Sequence, residues 1–60
     1  MKNWNWFKFT LHTSLPFSLA IAKEQIALGN VGFANAILTN VETLLSDLEQ
    51  FFVQHSAANN

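Results

Sequence analysis

A heptad pattern of apolar residues in the second half of the chain constrains the fold more than any other feature. Between residues 33 and 55, apolar positions recur at alternating spacings of four and three. This repeat is typical of an α-helix that packs along a seam against other helices. It predicts a helix over 33–55, about 34 Å long at roughly 1.5 Å per residue. The seam consists of Ala34, Leu38, Val41, Leu45, Leu48, Phe52 and His55, broadened on one flank by Ile37, Leu44 and Phe51.

A shorter helix is predicted before it, over residues 15–28. Ser14 can cap this helix, and Pro16 lies in its first turn, where a missing N–H does no harm. Gly29 suits the left-handed position that ends a helix, and Asn30 can cap the next one. The two helices then form a hairpin, and residues 56–60 are expected to be a frayed tail.

The first thirteen residues show a different period. From Phe7 to His12 apolar and polar residues alternate, which is typical of a half-buried strand. A single strand cannot satisfy its own backbone hydrogen-bonding groups. Residues 1–13 are therefore expected to be a short strand paired with another chain, or an extended arm. The inward side consists of Phe7, Phe9 and Leu11, and the outward side of Lys8, Thr10 and His12.

Length limits the chain to one small domain, residues 1–60. A domain of this size buries too little surface to be more than marginally stable alone, and the sequence has no cysteine to form a disulfide. We therefore expect a mainly α fold, an N-terminal strand or arm followed by a helical hairpin, completed by oligomerisation into a helical bundle. The partner would be a second copy or a larger host protein, and the expected location is cytoplasmic.

Catalytic and metal-binding patterns do not emerge from the sequence. Glu42 and Glu49 are two turns apart, about 10.5 Å of helix rise, which is too far for two carboxylates to share a proton. With Asp47 they form an acidic flank on a helix without lysine or arginine. Such a flank suits a basic surface on a partner. His12 and His55 are isolated from each other and have no ligand spacing. We expect no enzyme activity, no cofactor and no metal.

The sequence thus favours a small protein–protein interaction module, acting as a regulator, an inhibitor or a small subunit of a larger complex. Aromatic residues of the arm should anchor the contact, because such residues concentrate binding energy, and the helix seam should extend it. The expected partner-binding residues are Trp4, Trp6, Phe7 and Phe9 in the arm, and Leu38, Val41, Leu45, Leu48 and Phe52 in the seam.

Two alternatives remain. Over about residues 6–52, a strand followed by two helices and a Gly-Asn turn resembles the ribbon-helix-helix regulators. That resemblance implies a dimer whose ribbon reads DNA through Lys8, Thr10 and His12, with backbone amides near residues 30–33 holding a phosphate. Three lysines, no arginine and a net charge of −1 supply little of the positive charge that phosphate contacts need. The other alternative is a membrane-surface peptide acting through Trp4 and Trp6. No membrane-spanning segment is expected, since the apolar tract breaks at residues 23–25.

Overall fold

Two antiparallel helical arms form the protein in the computed structural model, which describes residues 2–58. The first arm comprises α1 (Trp4–Phe9), a π-helical turn (Thr10–Ser14) and α2 (Leu15–Ala27). The second arm is α3 (Val31–Ala58). The hairpin measures 47 × 17 × 16 Å along its principal axes. The mainly helical class and the two-helix hairpin predicted from the sequence are confirmed.

The N-terminal segment is helical, whereas the sequence predicted a strand or an extended arm. Residues 4–14 are helical, and no strand forms anywhere in residues 2–58. Asn3 begins the helix: its side-chain Oδ1 accepts the Trp6 N–H at 2.9 Å, and its carbonyl accepts the Phe7 N–H at 2.9 Å. A helix satisfies its backbone groups within the chain, whereas a lone strand needs a second strand beside it. Over residues 4–13 the first part of the helical arm therefore takes the place of the expected strand or extended arm, while residue 1 of that prediction lies outside the described residues.

The π-helical turn carries the first arm past Pro16. In an α-helix the ring of Pro16 would clash with the carbonyl of His12, and that carbonyl would lose its usual donor. The turn before the proline is widened instead, with the Leu15 N–H donating to the Thr10 carbonyl, five residues back. Ser14 has helical backbone angles and no side-chain capping bond. Helix α2 begins at Leu15, as predicted, but the capping role predicted for Ser14 is wrong, because the wide turn keeps the arm helical through Ser14.

The reversal between the arms follows the predicted chemistry. Gly29 has a φ of +84°, the left-handed conformation predicted for it. The Asn30 N–H donates to the Gln25 carbonyl at 2.8 Å and the Gly29 N–H to the Ile26 carbonyl at 3.0 Å, which together form a Schellman motif. The Asn30 carbonyl then accepts the Ala34 N–H at 3.0 Å. Backbone groups at this reversal are satisfied locally, so the turn itself fixes the antiparallel arrangement.

The arms pack through a short apolar core. Leu15, Val41 and Leu48 form its buried cluster, with Trp6, Phe7 and Leu44 packed against them. Nearer the turn, Ala22 and Ala34 are almost completely buried, with 1% and 0% of their surface exposed. Small side chains at these positions let the two helix backbones approach closely. The core therefore narrows from large residues at the open end to alanines near the turn.

Helix boundaries differ slightly from the sequence prediction. The first arm ends at Ala27 rather than residue 28, and α3 begins at Val31 rather than residue 33. Helix α3 also continues through Ala58, so the predicted tail of residues 56–60 is helical at least that far. Residues 59 and 60 lie outside the described part of the chain.

Candidate interaction surface

Exposed apolar residues follow the buried ones at a fixed spacing on both arms. In α3, Leu45 and Phe52 come four residues after the buried Val41 and Leu48. Leu45 and Phe52 keep 50% and 52% of their surface exposed. Four residues turn an α-helix by about 400°, so each exposed residue lies about 40° round the helix from its buried predecessor. Leu38, four residues after Ala34, continues the same row and is half-buried.

The same spacing occurs in α2. Leu19 and Ile26 come four residues after the buried Leu15 and Ala22, and they are 47% and 52% exposed. In both arms the exposed row is therefore displaced in the same rotational direction from the buried residues that face the other arm. Because the arms are antiparallel, the same sense of rotation places both rows on one side of the hairpin. We call this surface the apolar face; it consists of Leu19, Ile26, Leu38, Leu45 and Phe52.

An ion pair lies on the opposite side of the hairpin. The Lys2 ammonium lies 3.4 Å from the Asp47 carboxylate and 5.2 Å from the centre of the Trp6 ring. Asp47 is two residues from Leu45, about 200° round the helix, so this ion pair lies away from the apolar face.

Charged residues border the apolar face, with opposite signs on the two arms. Lys23 follows Leu19 by four residues, while Glu42 and Glu49 follow Leu38 and Leu45 by four. All three charged side chains are exposed, and none forms an ion pair within residues 2–58. One edge of the face is thus basic and the other acidic. The acidic edge includes two of the residues that the sequence indicated as an acidic flank.

An aromatic cluster closes the open end of the hairpin. The Phe51 ring stacks on His55, with ring centres 3.7 Å apart, and on Phe7 at 5.7 Å. Trp4 meets Phe51 edge-on at 5.0 Å and Phe52 at 6.5 Å. His55 Nδ1 lies 2.9 Å from the Phe51 carbonyl oxygen and can donate to it. These contacts lock the first turn of the chain onto the last turns of α3.

The residues predicted to bind a partner separate into three groups. Val41 and Leu48 are buried between the arms, where they support the fold. Trp6 and Phe7 are half-buried against the same core. The remaining predicted residues keep substantial exposed surface: Trp4 and Phe9 at 43% and 61%, Leu45 and Phe52 at 50% and 52%, and the half-buried Leu38.

Sequence reasoning missed the contribution of the first helix to this surface. It predicted a helix over residues 15–28, in which Leu15, Leu19, Ala22 and Ile26 form an apolar stripe, but assigned the partner contact to α3 and the N-terminal segment. The available signal was the wide apolar arc of that helix, in which Phe17, Ile21 and Leu28 form a second stripe beside the first, so that one neighbouring helix cannot cover it. Antiparallel pairing of the arms then places Leu19 and Ile26 on the same side of the hairpin as Leu45.

The residues of the DNA-binding alternative do not form a ribbon. Lys8 lies in α1, and Thr10 and His12 lie in the π-helical turn. Lys8 and His12 are exposed, whereas Thr10 is only 3% exposed. The three side chains therefore do not share one outward edge, and the ribbon that the resemblance implied is replaced by helix.

A second group of exposed apolar residues lies on the outer side of the first arm. Phe17 and Leu28 are each 66% exposed, and their spacing of eleven residues is close to three helical turns, so they lie on the same side. Phe9 is 61% exposed. We call Phe9, Phe17 and Leu28 the outer patch.

The described part of the chain lacks the features of a pocket, a metal site or a membrane span. No cavity forms there, and no three histidine or acidic residues come close enough together to hold a metal ion. Neither arm has a stretch of the length and apolar character that crossing a membrane requires, within residues 2–58. The apolar face, to which both arms contribute, is consequently the feature on which we base a function.

Comparison with known proteins adds no relative. No family model matches the chain, and neither the curated proteins nor the solved structures give a match.

Proposed function

We propose that this chain is a small non-catalytic protein-interaction module that binds its partner through the apolar face. Leu19, Ile26, Leu45 and Phe52 each expose about half of a large apolar side chain. Burying such surface contributes about 25 cal/mol per Å². Contiguous apolar surface rimmed by charge is typical of protein–protein contact sites. A regulator, an inhibitor and a small subunit of a larger complex would all use such a surface.

The observation that carries the proposal is the repetition of one spacing in both arms. Isolated exposed leucines are common on protein surfaces and need no explanation. Here, however, Leu19, Ile26, Leu45 and Phe52 each follow a buried residue by four positions, and the two rows lie on the same side. Helices of a bundle are organised in this way when a further layer of helices covers them.

Capture from the source cells with an epitope-tagged chain tests the proposal. We expect Leu45→Glu to lose the proteins captured by the wild type, because it places a charge in the apolar face. Gln50→Glu is the matched control: it adds the same charge at an exposed position of α3, away from the face. Circular dichroism should show both variants helical. Retention of every wild-type partner by folded Leu45→Glu would contradict the proposal.

A membrane-surface role is the second candidate, and the outer patch favours it. Phe17 and Leu28 expose apolar surface on the side of the first arm that α3 does not cover, and aromatic residues partition well into the bilayer interface. Sedimentation with phosphatidylcholine vesicles tests this role. Binding that disappears in Phe17→Ser and persists in Leu45→Glu would support it, and failure of the wild type to sediment would exclude it.

A further inference from the structure

We infer that the partner on the apolar face is a second copy of this chain, and that the two copies form a four-helix bundle with both turns at the same end. This inference rests on the proposed function, since it names the partner of the same surface. It depends on three observations: the size of the face, the spacing of its rows and the signs of charge along its edges.

The face lies on a side of the hairpin that is large enough for a stable dimer interface. That side measures 47 by 17 Å, about 800 Å² in outline. Each partner in a standard protein–protein interface buries roughly 800 Å². A smaller occupant, such as a single short peptide, would leave part of the two rows exposed.

The rows also match a second copy in shape. Leu38, Leu45 and Phe52 are spaced by seven residues, as are Leu19 and Ile26. A spacing of seven brings residues to the same side of neighbouring helices in a bundle. Two hairpins that meet through these rows present matching repeats to each other, because both surfaces have the same sequence.

Charge decides how the two copies are oriented. Residues 1–30 contain three lysines and one glutamate, a net charge of +2, while residues 31–60 contain three acidic residues and no lysine, a net charge of −3. If the two-fold axis runs along the hairpin, the first arm of each copy packs on α3 of the other. The Lys23 edge then lies on the same side as the partner copy's acidic edge, where Glu42 is the nearer carboxylate, about six residues or 9 Å farther from the turn than Lys23 along the helix axis.

The other two-fold arrangement brings like charges together. An axis across the hairpin stacks each arm on its own counterpart, so that one acidic edge adjoins another and one basic edge adjoins another. Like charges placed side by side disfavour such an assembly. The favourable axis puts both turns at the same end of the bundle, whereas this one puts them at opposite ends.

A spin label near the turn distinguishes these arrangements. The chain has no cysteine, and a Cβ added at Gly32 meets nothing within 4 Å, so Gly32→Cys gives one well-tolerated labelling site. With helix axes 8–10 Å apart in a bundle, the two labels of the inferred dimer should be roughly 15–30 Å apart. Turns at opposite ends would separate them by a distance close to the 47 Å length of the hairpin and would overturn the inference.

Charge reversal gives an independent test by sedimentation equilibrium. Lys23→Glu should weaken dimerisation about tenfold, because it replaces an attraction by a repulsion at both symmetric edges. Glu42→Lys should do the same, and the double variant should recover most of the affinity. Double-variant affinity no better than that of the single variants would contradict the pairing of these edges.

The two proposals can fail separately. A wild-type chain that stays monomeric at the highest attainable concentration overturns the second-copy inference. Loss of a different captured protein in Leu45→Glu would then still support an interaction module with another partner. A wild-type dimer that is unchanged in Leu45→Glu would instead show that the apolar face is not the interface, and both proposals would be wrong.

Discussion

Leu45 and Leu48 offer a matched pair that separates the role of the core from the role of the apolar face. They lie one turn apart in the same helix, and the substitution to alanine removes the same atoms from each. Leu48 is 6% exposed and Leu45 50%. Any difference in the cost of the two substitutions therefore reports what surrounds each side chain.

The expected magnitudes differ severalfold. Leu48→Ala leaves a cavity between the arms, and such substitutions cost about 2–5 kcal/mol. Leu45→Ala in the single chain loses only part of an already half-exposed side chain and leaves no cavity, so we expect about 0.5–1 kcal/mol. A domain of this length has a free energy of unfolding of roughly 3–9 kcal/mol. Leu48→Ala thus removes a large share of the stability, and Leu45→Ala removes little.

Urea unfolding followed by tryptophan fluorescence, repeated over a hundredfold range of protein concentration, measures both effects. The loss in Leu48→Ala should persist at the lowest concentration. The loss in Leu45→Ala should be small there and grow as concentration rises, because association stabilises only the folded chain. Equal losses at low concentration would refute the assignment of Leu48 to the core and Leu45 to the surface.

Four further substitutions test the local structure by the same unfolding measurement. Gly29→Ala should cost about 1–2 kcal/mol, because a side chain is disfavoured at a φ of +84°. Gly32→Ala, where the added Cβ meets nothing within 4 Å, should instead stabilise the chain by about 0.5–1 kcal/mol; equal signs for the two glycines would contradict the turn described here. Asn3→Ala should cost about 1 kcal/mol through loss of the N-cap, and no change would show that the cap is not formed in solution. Phe51→Ala should cost about 3–5 kcal/mol and abolish the near-ultraviolet circular dichroism of the aromatic cluster, and retention of that signal would argue against the cluster.

The turn and the two helices could be predicted because their signals are local. A glycine at the end of an apolar period, followed by asparagine, specifies the helix stop whatever the rest of the chain does. The heptad of α3 likewise identifies its helix without knowledge of any neighbour. What the heptad did not specify is which of its flanks faces the first arm. Leu44 and Phe51, assigned to the flank, lie toward the core, while Leu45 and Phe52 of the predicted seam are exposed.

The N-terminal helix was missed for two physical reasons. Apolar and polar residues do alternate from Phe7 to His12. The same residues also fit a helix that turns Trp6, Phe7 and Thr10 toward the core, because their spacings of one and three place them on one side of a helix. The wide turn at Thr10–Ser14 then changes the phase within the arm, so no single helical period continues from residue 4 to residue 27. Asn3 followed three residues later by an apolar run was the available sign of a helix start.

The wide turn also has a consequence for chain length. It contains one residue more than an unbroken α-helix would need to point the side chains before and after it in the same directions. Deleting Thr13 together with Pro16→Ala should therefore leave the aromatic end facing α3 as it does now. The deletion alone would press the proline ring against a carbonyl, and a deletion in the middle of α2 would swing Trp6 and Phe7 away by about 100°. Shortening by one residue is thus tolerable at this place and disruptive in the helix that follows.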